Sequence, residues 1–72
     1  MQIAQSSHLQ AYDYDADSQT LTIQFQDGSI YKYANVPQTE YWQLQQTGGS
    51  GVYFSNKIRN RFPTTKIFDP RE

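Results

Sequence analysis

Cysteine is absent from this 72-residue chain, and large aliphatic side chains are scarce. Without cysteine the chain can form neither a disulfide nor a thiolate metal site. No apolar run approaches the length of a signal-peptide core or a transmembrane helix, so we expect a soluble, cytoplasmic protein without membrane association. Leu, Ile, Val and Phe supply 14 of the 72 residues, which is below the roughly 20% where disorder becomes an alternative in highly charged chains.

Aromatic residues make up for that shortage. The chain has six Tyr, four Phe and one Trp, while its net charge is only −1. A disordered chain would combine few aromatic residues with a high net charge, so the composition predicts a folded protein. The length predicts one small domain, 1–72. We expect an aromatic-rich core in which Tyr hydroxyls reach water or a partner at the edge.

Charge is distributed unevenly along the chain. Residues 1–46 have a net charge of −4 and residues 47–72 a net charge of +3. Such asymmetry can mark an anion-binding end. Acidic residues in turns and basic residues late in a helix would produce the same distribution through local chemistry alone, and we favour that simpler explanation.

Three strands are predicted between residues 8 and 34. Residues 8–14 form the first, and residues 20–26 alternate polar and apolar side chains in the pattern of a half-buried strand. Asp27-Gly28 predicts a hairpin turn into a third strand, residues 29–34. These segments indicate an antiparallel meander.

The length of the hairpin loop decides where Tyr31 and Tyr33 point. A two-residue loop would place Lys32 on the core face beside Ile23, and both tyrosines would form an exposed aromatic surface. A three-residue loop with Gly28 in the left-handed region instead places Ile23 opposite Tyr31 and turns Lys32 to water. Because burial of an unpaired lysine is costly, we predict the three-residue loop with both tyrosines inward.

Two helices are predicted after the sheet. Pro37 suits the start of a helix over residues 37–46. Ser50 is a good N-cap for a second helix over residues 50–62, in which Phe54, Ile58 and Phe62 form one apolar stripe. Phe62-Pro63 is expected to end it.

The resulting fold prediction is α+β: a three-stranded antiparallel β-meander followed by two short α-helices packed on one face. The domain core is expected at about 6–62. Residues 63–72 are expected to be a tail or an edge strand.

The order and spacing of these residues resemble the KTSC domain, a small module named after the C-terminal extension of some lysyl-tRNA synthetases that also occurs as a free-standing bacterial or phage protein. The residues that carry the resemblance are Ser6-Ser7, Tyr14-Asp15, Leu21-x-Ile23-x-Phe25, Gly28, Tyr31-x-Tyr33, Val36-Pro37, Tyr41, Leu44, Gly51-x-Tyr53-Phe54 and Ile58-Arg59-x-x-Phe62. The resemblance implies an association with RNA, because of the tRNA-synthetase context. This chain departs from the family pattern at Gly49, where the pattern has Ser, and at Ser55, where it has Asn.

The candidate site for RNA or another phosphate-bearing ligand combines basic side chains with a glycine-rich turn. Backbone amides at a helix start favour anions, and basic side chains bind phosphates with a strong dependence on salt. A sequence pI near 5.6 argues against a dedicated non-specific nucleic-acid binder. The candidate residues are Lys57, Arg59, Arg61, Lys32, Gly49, Ser50 and Gly51, and Lys66 could extend either edge.

Aromatic side chains provide a second kind of candidate. Trp42 and Tyr53 could stack on bases or lie in an interface, although Trp42 could equally cover the open end of a small sheet. The alternative function is therefore a protein-interaction module without a nucleic-acid role. It would use Trp42, the outer Ile30/Lys32/Ala34 face and an unpaired edge strand, and would include self-association into a homo-oligomer.

Catalytic chemistry is not indicated. His8 is the only histidine, and no paired glutamates accompany it. Asp13, Asp15 and Asp17 alternate like a cation loop but lack the glycine and the distal glutamate of an EF-hand. We therefore predict a non-enzymatic protein with no metal and no cofactor.

Overall fold

The computed structural model describes residues 2–4, 8–59 and 61–70. Ser6-Ser7, which carry part of the resemblance, lie outside the described residues. The fold is α+β, as predicted. The elements are β1 (Gln2–Ile3), β2 (Leu9–Asp15), β3 (Thr20–Phe25), β4 (Ile30–Tyr33), α1 (Gln38–Gln46), α2 (Gly51–Lys57) and β5 (Thr64–Phe68).

The sheet is antiparallel, and its spatial order β1-β2-β3-β4-β5 follows the chain. The predicted meander is confirmed as its centre, but the prediction of three strands is wrong. Four strands have four or more residues, and the two-residue β1 extends one edge. All five residues of β5 are exposed. The sequence left a tail and an edge strand as alternatives for this segment, because an exposed edge strand has no buried face to impose a period-2 pattern.

The β3–β4 hairpin has the predicted three-residue loop. The amide of Phe25 donates to the carbonyl of Ser29 at 2.9 Å, and Gly28 has a φ of 93°. Ile23 lies opposite Tyr31, and Tyr33 is only 3% exposed. Both tyrosines therefore face the core side of the sheet, and an exposed aromatic surface on this hairpin is excluded.

Both helices cover the same face of the sheet, which we call the helix face. The ring of Phe54 from α2 lies edge-on to Phe25 and Tyr33, with centroid distances of 5.6 and 5.3 Å. Edge-to-face geometry is a favourable arrangement for aromatic pairs. The buried core comprises Ala4, Leu9, Tyr12, Leu21, Ile23, Tyr33, Val36, Leu44, Phe54 and Ile58. Three of these ten residues are aromatic, and six further aromatic side chains are partly buried against them, so the buried centre is mainly aliphatic and its edge is aromatic.

Helix α1 is fixed to the sheet by tyrosines. Tyr41 stacks on Tyr14 with centroids 4.5 Å apart and an interplanar angle of 9°. The Tyr14 hydroxyl donates to the Val36 carbonyl at 2.7 Å, at the point where the chain leaves β4 for α1. Both contacts hold the start of the helix layer over β2. Neither helix is long or apolar enough to cross a membrane.

Helix α2 is shorter than predicted. Ser50 is its N-cap, as expected, and accepts a hydrogen bond from the Tyr53 amide at 3.3 Å. The predicted end at residue 62 is wrong, because the helix ends at Lys57. The Pro63 carbonyl already accepts from the Ala34 amide at 2.9 Å, next to the first residue of β5. Because Pro63 is hydrogen-bonded just beyond the end of β4, the chain must pass from the helix layer to the sheet within a few residues. The helix therefore ends before residue 62.

Candidate nucleic-acid interface

Three cations lie at and just beyond the end of α2. Lys57 is the last helical residue, and Arg59 and Arg61 follow in the turn that leads to β5; all three side chains are exposed. The amide of Arg59 donates to the Phe54 carbonyl at 3.0 Å, and the amide of Arg61 donates to the Ile58 carbonyl at 3.1 Å. The backbone of this segment is therefore fixed while its charged side chains reach solvent.

Arg59 lies close to a buried tyrosine. Burial, together with the neighbouring Tyr31, raises the pKa of the Tyr33 hydroxyl to about 12, and Arg59 acts in the opposite direction. A positive charge lowers the pKa of a phenol by stabilising its phenolate form. The guanidinium of Arg59 therefore lies on the helix face, within electrostatic reach of β4.

Tyr53 connects the two helices. Its hydroxyl oxygen lies 2.9 Å from Glu40 Oε2 and 2.9 Å from Gln43 Oε1, both on α1. Burial, together with the hydrogen bond and charge of Glu40, raises the pKa of Tyr53 to about 12, whereas Arg61 lowers it. Because its hydroxyl is engaged in this bridge and its ring is half-buried, Tyr53 is not an open stacking surface.

The remaining lysines lie on different faces of the sheet. Lys66 pairs in register with Tyr31 and so lies on the helix face. Lys32 pairs with Thr22 and Thr65 and points to the opposite face. The structure therefore separates Lys32 from Arg59 and Arg61, and it places Lys66 on their side.

The glycine-rich turn uses its amides internally. The amide of Gly48 donates to the Gln45 carbonyl at 3.1 Å, and that of Gly49 to the Leu44 carbonyl at 3.0 Å. The amide of Ser50 donates to a threonine hydroxyl oxygen, Thr47 Oγ1, at 3.1 Å. These bonds close the C-terminal end of α1 in the manner of a glycine cap. The amides of Gly48, Gly49 and Ser50 are thus not available to an anion, and Gly51 is the first residue of α2.

Trp42 lies on another flank of the molecule. It is 57% exposed and lines a shallow groove of about 310 Å³. The groove is formed by Gln38, Thr39, Tyr41, Trp42 and Gln45. At 100° per residue this side of α1 is opposite Glu40 and Gln43, which face Tyr53. Trp42 therefore lies on a different side of α1 from the contact with Tyr53, away from the cations after α2.

Two acidic residues in the last part of β2 accept local backbone hydrogen bonds. A carboxylate oxygen of Asp13 accepts from the Tyr14 amide at 3.0 Å, and one of Asp15 accepts from the Asp17 amide at 3.0 Å. The described residues contain no group of three His, Cys, Asp or Glu side chains that could hold a metal ion. The ring of His8 packs edge-on against Phe25 at 5.3 Å.

The profile of the KTSC domain family matches residues 5–62, which is most of the chain. The chain belongs to the KTSC domain family. Its structure is similar to the crystal structure of a KTSC domain protein from Yersinia pestis, with a TM-score of 0.82 and 32% sequence identity over 93% of this chain and 94% of the other.

Curated relatives contain this KTSC domain in two settings. A lysine–tRNA ligase from Nostoc sp. is 40% identical over 58 residues, which are 81% of this chain and 10% of the ligase. An uncharacterised protein from Stutzerimonas stutzeri is 33% identical over 55 residues, which are 76% of this chain and 78% of that protein. The KTSC domain therefore spans about a tenth of the first relative and most of the second.

The departure from the KTSC pattern at Gly49 has a steric explanation in this chain. Gly49 has a φ of 82°, and a Cβ atom there would lie 2.8 Å from the Ala4 Cβ and 2.9 Å from Tyr12 Cε1. Ala4 itself is held on the sheet, because its amide donates to the Gln10 carbonyl at 3.0 Å. The close approach of the α1–α2 turn to β1 and β2 thus requires glycine here.

Two features of this surface were missed by the sequence analysis. The Glu40–Tyr53 bridge joins residues 13 positions apart on different helices, and no local pattern indicates such a pair. The side of the sheet occupied by Lys66 could not be derived either, because the β4–β5 pairing shifts register between Ile30 and Tyr31. A bulge of this kind breaks the period-2 rule that would otherwise assign the face.

Proposed function

We propose that this chain is a non-enzymatic module that binds the phosphate backbone of single-stranded RNA. The binding residues form a basic surface defined by Lys57, Arg59, Arg61 and Lys66. The observation that carries the proposal is the position of Arg59 and Arg61, which extend from a fixed backbone on the helix face next to Tyr33 and Tyr53. Lys66 lies on that same face.

The relatives support the choice of RNA as the ligand. The Nostoc relative is a lysine–tRNA ligase, an enzyme that acts on tRNA. A small appended domain with exposed cations on one side would add phosphate contacts to such an enzyme. Backbone contacts of this kind position a protein without reading sequence. We therefore expect little sequence preference.

The number of cations limits the affinity. Four phosphate contacts on single-stranded RNA give a slope of log K against log[salt] of about −2.8, so affinity should fall roughly 50-fold between about 50 and 200 mM salt. The measurement is fluorescence anisotropy of a labelled single-stranded RNA titrated with the protein at both salt concentrations, with a DNA of the same sequence alongside. Absence of RNA binding at the lower salt concentration would refute the proposal.

A pair of variants locates the surface. The double variant Arg59→Gln/Arg61→Gln removes two of the four cations and should reduce the magnitude of the salt slope from about 2.8 to about 1.4, with at least about tenfold weaker binding at low salt. Lys32→Gln is the matched control, because it removes one exposed cation from the opposite face. It should change the affinity less than about twofold, and an equal loss in the control would place RNA binding elsewhere.

A second candidate function, protein–protein interaction, is favoured by the distribution of side chains on the face of the sheet that carries no helix.

A further inference from the structure

The face of the sheet opposite the helices, which we call the open face, carries an apolar row. Residues paired in register across the strands share one face. Following the pairs from β1 to β5 gives one continuous row that crosses all five strands, Ile3, Ala11, Gln24, Ile30 and Phe68. The two ends of the row are large apolar side chains left in solvent, with Ile3 71% and Phe68 53% exposed.

A polar row runs beside it. Asp13, Thr22, Lys32 and Thr65 pair in register from β2 to β5. Asp13 and Lys32 are exposed, and Thr22 of the central strand lies midway between them. The row therefore has an acid on one side of β3 and a base at the equivalent position on the other side.

This arrangement is complementary to itself. A twofold axis that runs along β3, in the plane between two facing sheets, reverses the order of the strands and keeps the position along each strand. It places Asp13 of one copy opposite Lys32 of the other, twice. In the apolar row it places Ile3 opposite Phe68 and brings the two central Gln24 side chains together.

We infer that the open face packs against the open face of a second copy of this chain, in a symmetric sandwich with its twofold axis along β3. Sheets that pack face to face lie about 10 Å apart, a distance that a lysine and an aspartate side chain span together. Two opposite-charge pairs then lie along one side of a strip of contacts that is apolar except for the two central Gln24 side chains. This inference does not depend on the RNA-binding proposal, because the basic surface lies on the other side of the sheet.

The area of the face sets the strength of the dimer. Five strands at about 4.8 Å and six residues at about 3.3 Å give a face of roughly 24 by 20 Å. That is about 500 Å² per copy, less than the roughly 800 Å² of a standard stable interface. The dimer should therefore be reversible, with a dissociation constant on the order of 100 µM, and it should weaken with salt because its charge pairs are near solvent.

Charge exchange between Asp13 and Lys32 tests the geometry. Asp13→Lys and Lys32→Asp should each be monomeric, because each change places like charges opposite one another twice. A one-to-one mixture of the two variants should dimerise, because both facing pairs are then opposite in sign. The double variant Asp13→Lys/Lys32→Asp should also dimerise. Since both side chains are exposed, circular dichroism is expected to show the native fold in every variant.

Sedimentation velocity at protein concentrations from about 10 µM to 1 mM distinguishes the monomer from the dimer. A wild-type protein that stays monomeric at 1 mM overturns the inference. A wild-type dimer that persists in both single variants also overturns it, in favour of pairing through the edge of β5. Trp42→Ala is the control for the groove on α1, and loss of the dimer in that variant alone would assign the contact to the groove instead. Dimerisation of the mixture at a level matching the wild type supports the twofold arrangement.

Discussion

The two faces of the sheet differ in almost every respect although the same strands supply both. On the helix face, Tyr12, Ile23 and Tyr33 are buried under two helices. On the open face, Thr22, Gln24 and Lys32 occupy the alternate positions of the strands, and they are partly or fully exposed. A chain with 14 Leu, Ile, Val and Phe residues has enough apolar volume to cover one face only.

This difference separates stability from recognition. Burial of apolar area contributes roughly 25 cal/mol per Å², and the structure concentrates that burial between the helices and β2–β4. The open face contributes less to stability and is therefore more tolerant of substitution. Side chains on the open face can accordingly be substituted without loss of the fold.

The difference between the two faces should appear most clearly when one aromatic ring is removed from each of them. Phe54 is fully buried between Phe25 and Tyr33, and Phe54→Ala should lower the free energy of unfolding by about 3–5 kcal/mol. Phe68 lies at the end of the open-face row, and Phe68→Ala should cost less than about 1 kcal/mol. Urea denaturation followed by circular dichroism measures both at low protein concentration.

Since a domain of this size has a total stability of only about 4–11 kcal/mol, Phe54→Ala is at risk of not folding. Phe54→Leu retains most of the volume, so it should fold with a smaller loss. Equal losses for Phe54→Leu and Phe68→Ala would contradict the assignment of the core to the helix face.

The attachment of the helix layer is tested at a glycine. Gly49→Ala combines a left-handed backbone with contacts under 3.0 Å to Ala4 and Tyr12, and it should cost about 2–4 kcal/mol of the free energy of unfolding. Gly28→Ala is the matched control. It shares a positive φ of 93°, but among the described residues its Cβ would meet only Pro70, at 3.5 Å, so it should cost about 1 kcal/mol. Thermal unfolding of both variants compares them, and similar shifts would mean that backbone strain alone matters at Gly49.

The smallest expected effect concerns the tyrosine that joins the helices. Tyr53→Phe removes the hydroxyl that bridges to Glu40 and Gln43, and it should cost about 1 kcal/mol at neutral pH. The control is Thr64→Val on the exposed β5 strand, which should change the free energy of unfolding by less than about 0.5 kcal/mol.

The same tyrosine gives a pH dependence of stability. The pKa values of Tyr33 and Tyr53 are raised to about 12 in the folded protein, whereas an unfolded tyrosine has a pKa of about 10. Above pH 10 the unfolded chain loses these protons first, so the stabilisation is complete below pH 10 and is lost as pH rises towards 12. Urea titrations at pH 9, 10 and 11 should show this decline, and it should be smaller in Tyr53→Phe and Tyr33→Phe. A decline of unchanged size in both variants would assign the pH dependence to other groups.

The sequence predicted the parts of the fold that depend on neighbours along the chain. Alternation in residues 20–26 located β3, the Asp27-Gly28 turn fixed the register of Tyr31 and Lys32, and Ser50 marked a helix start. Each of these features is local, because it needs only a turn geometry, a cap or the period of one strand.

The parts that the sequence could not predict depend on distant partners. β5 is fully exposed and has no pattern of its own, so the sequence left a tail and an edge strand as alternatives, and only the pairing with β4 decides between them. That pairing also explains why α2 ends at Lys57. The close approach of Gly49 to Ala4 joins residues 45 positions apart, and no spacing rule links them. The sequence identified the cations of the candidate basic surface. It did not show on which face of the sheet each one lies, and Lys32 and Lys66 lie on opposite faces.

The pairing of β5 with β4 has a consequence for the order of folding. β2, β3 and β4 are joined by short turns, so their hairpins can form within microseconds. Thr64 meets Tyr33 only after the intervening 30 residues, which include both helices, have been brought into a closed loop. The entropy lost in closing a loop grows with its length, and prior docking of the helices shortens the flexible part. We therefore expect β5 to pair with β4 last. Prior docking of the two helices should make this pairing fast.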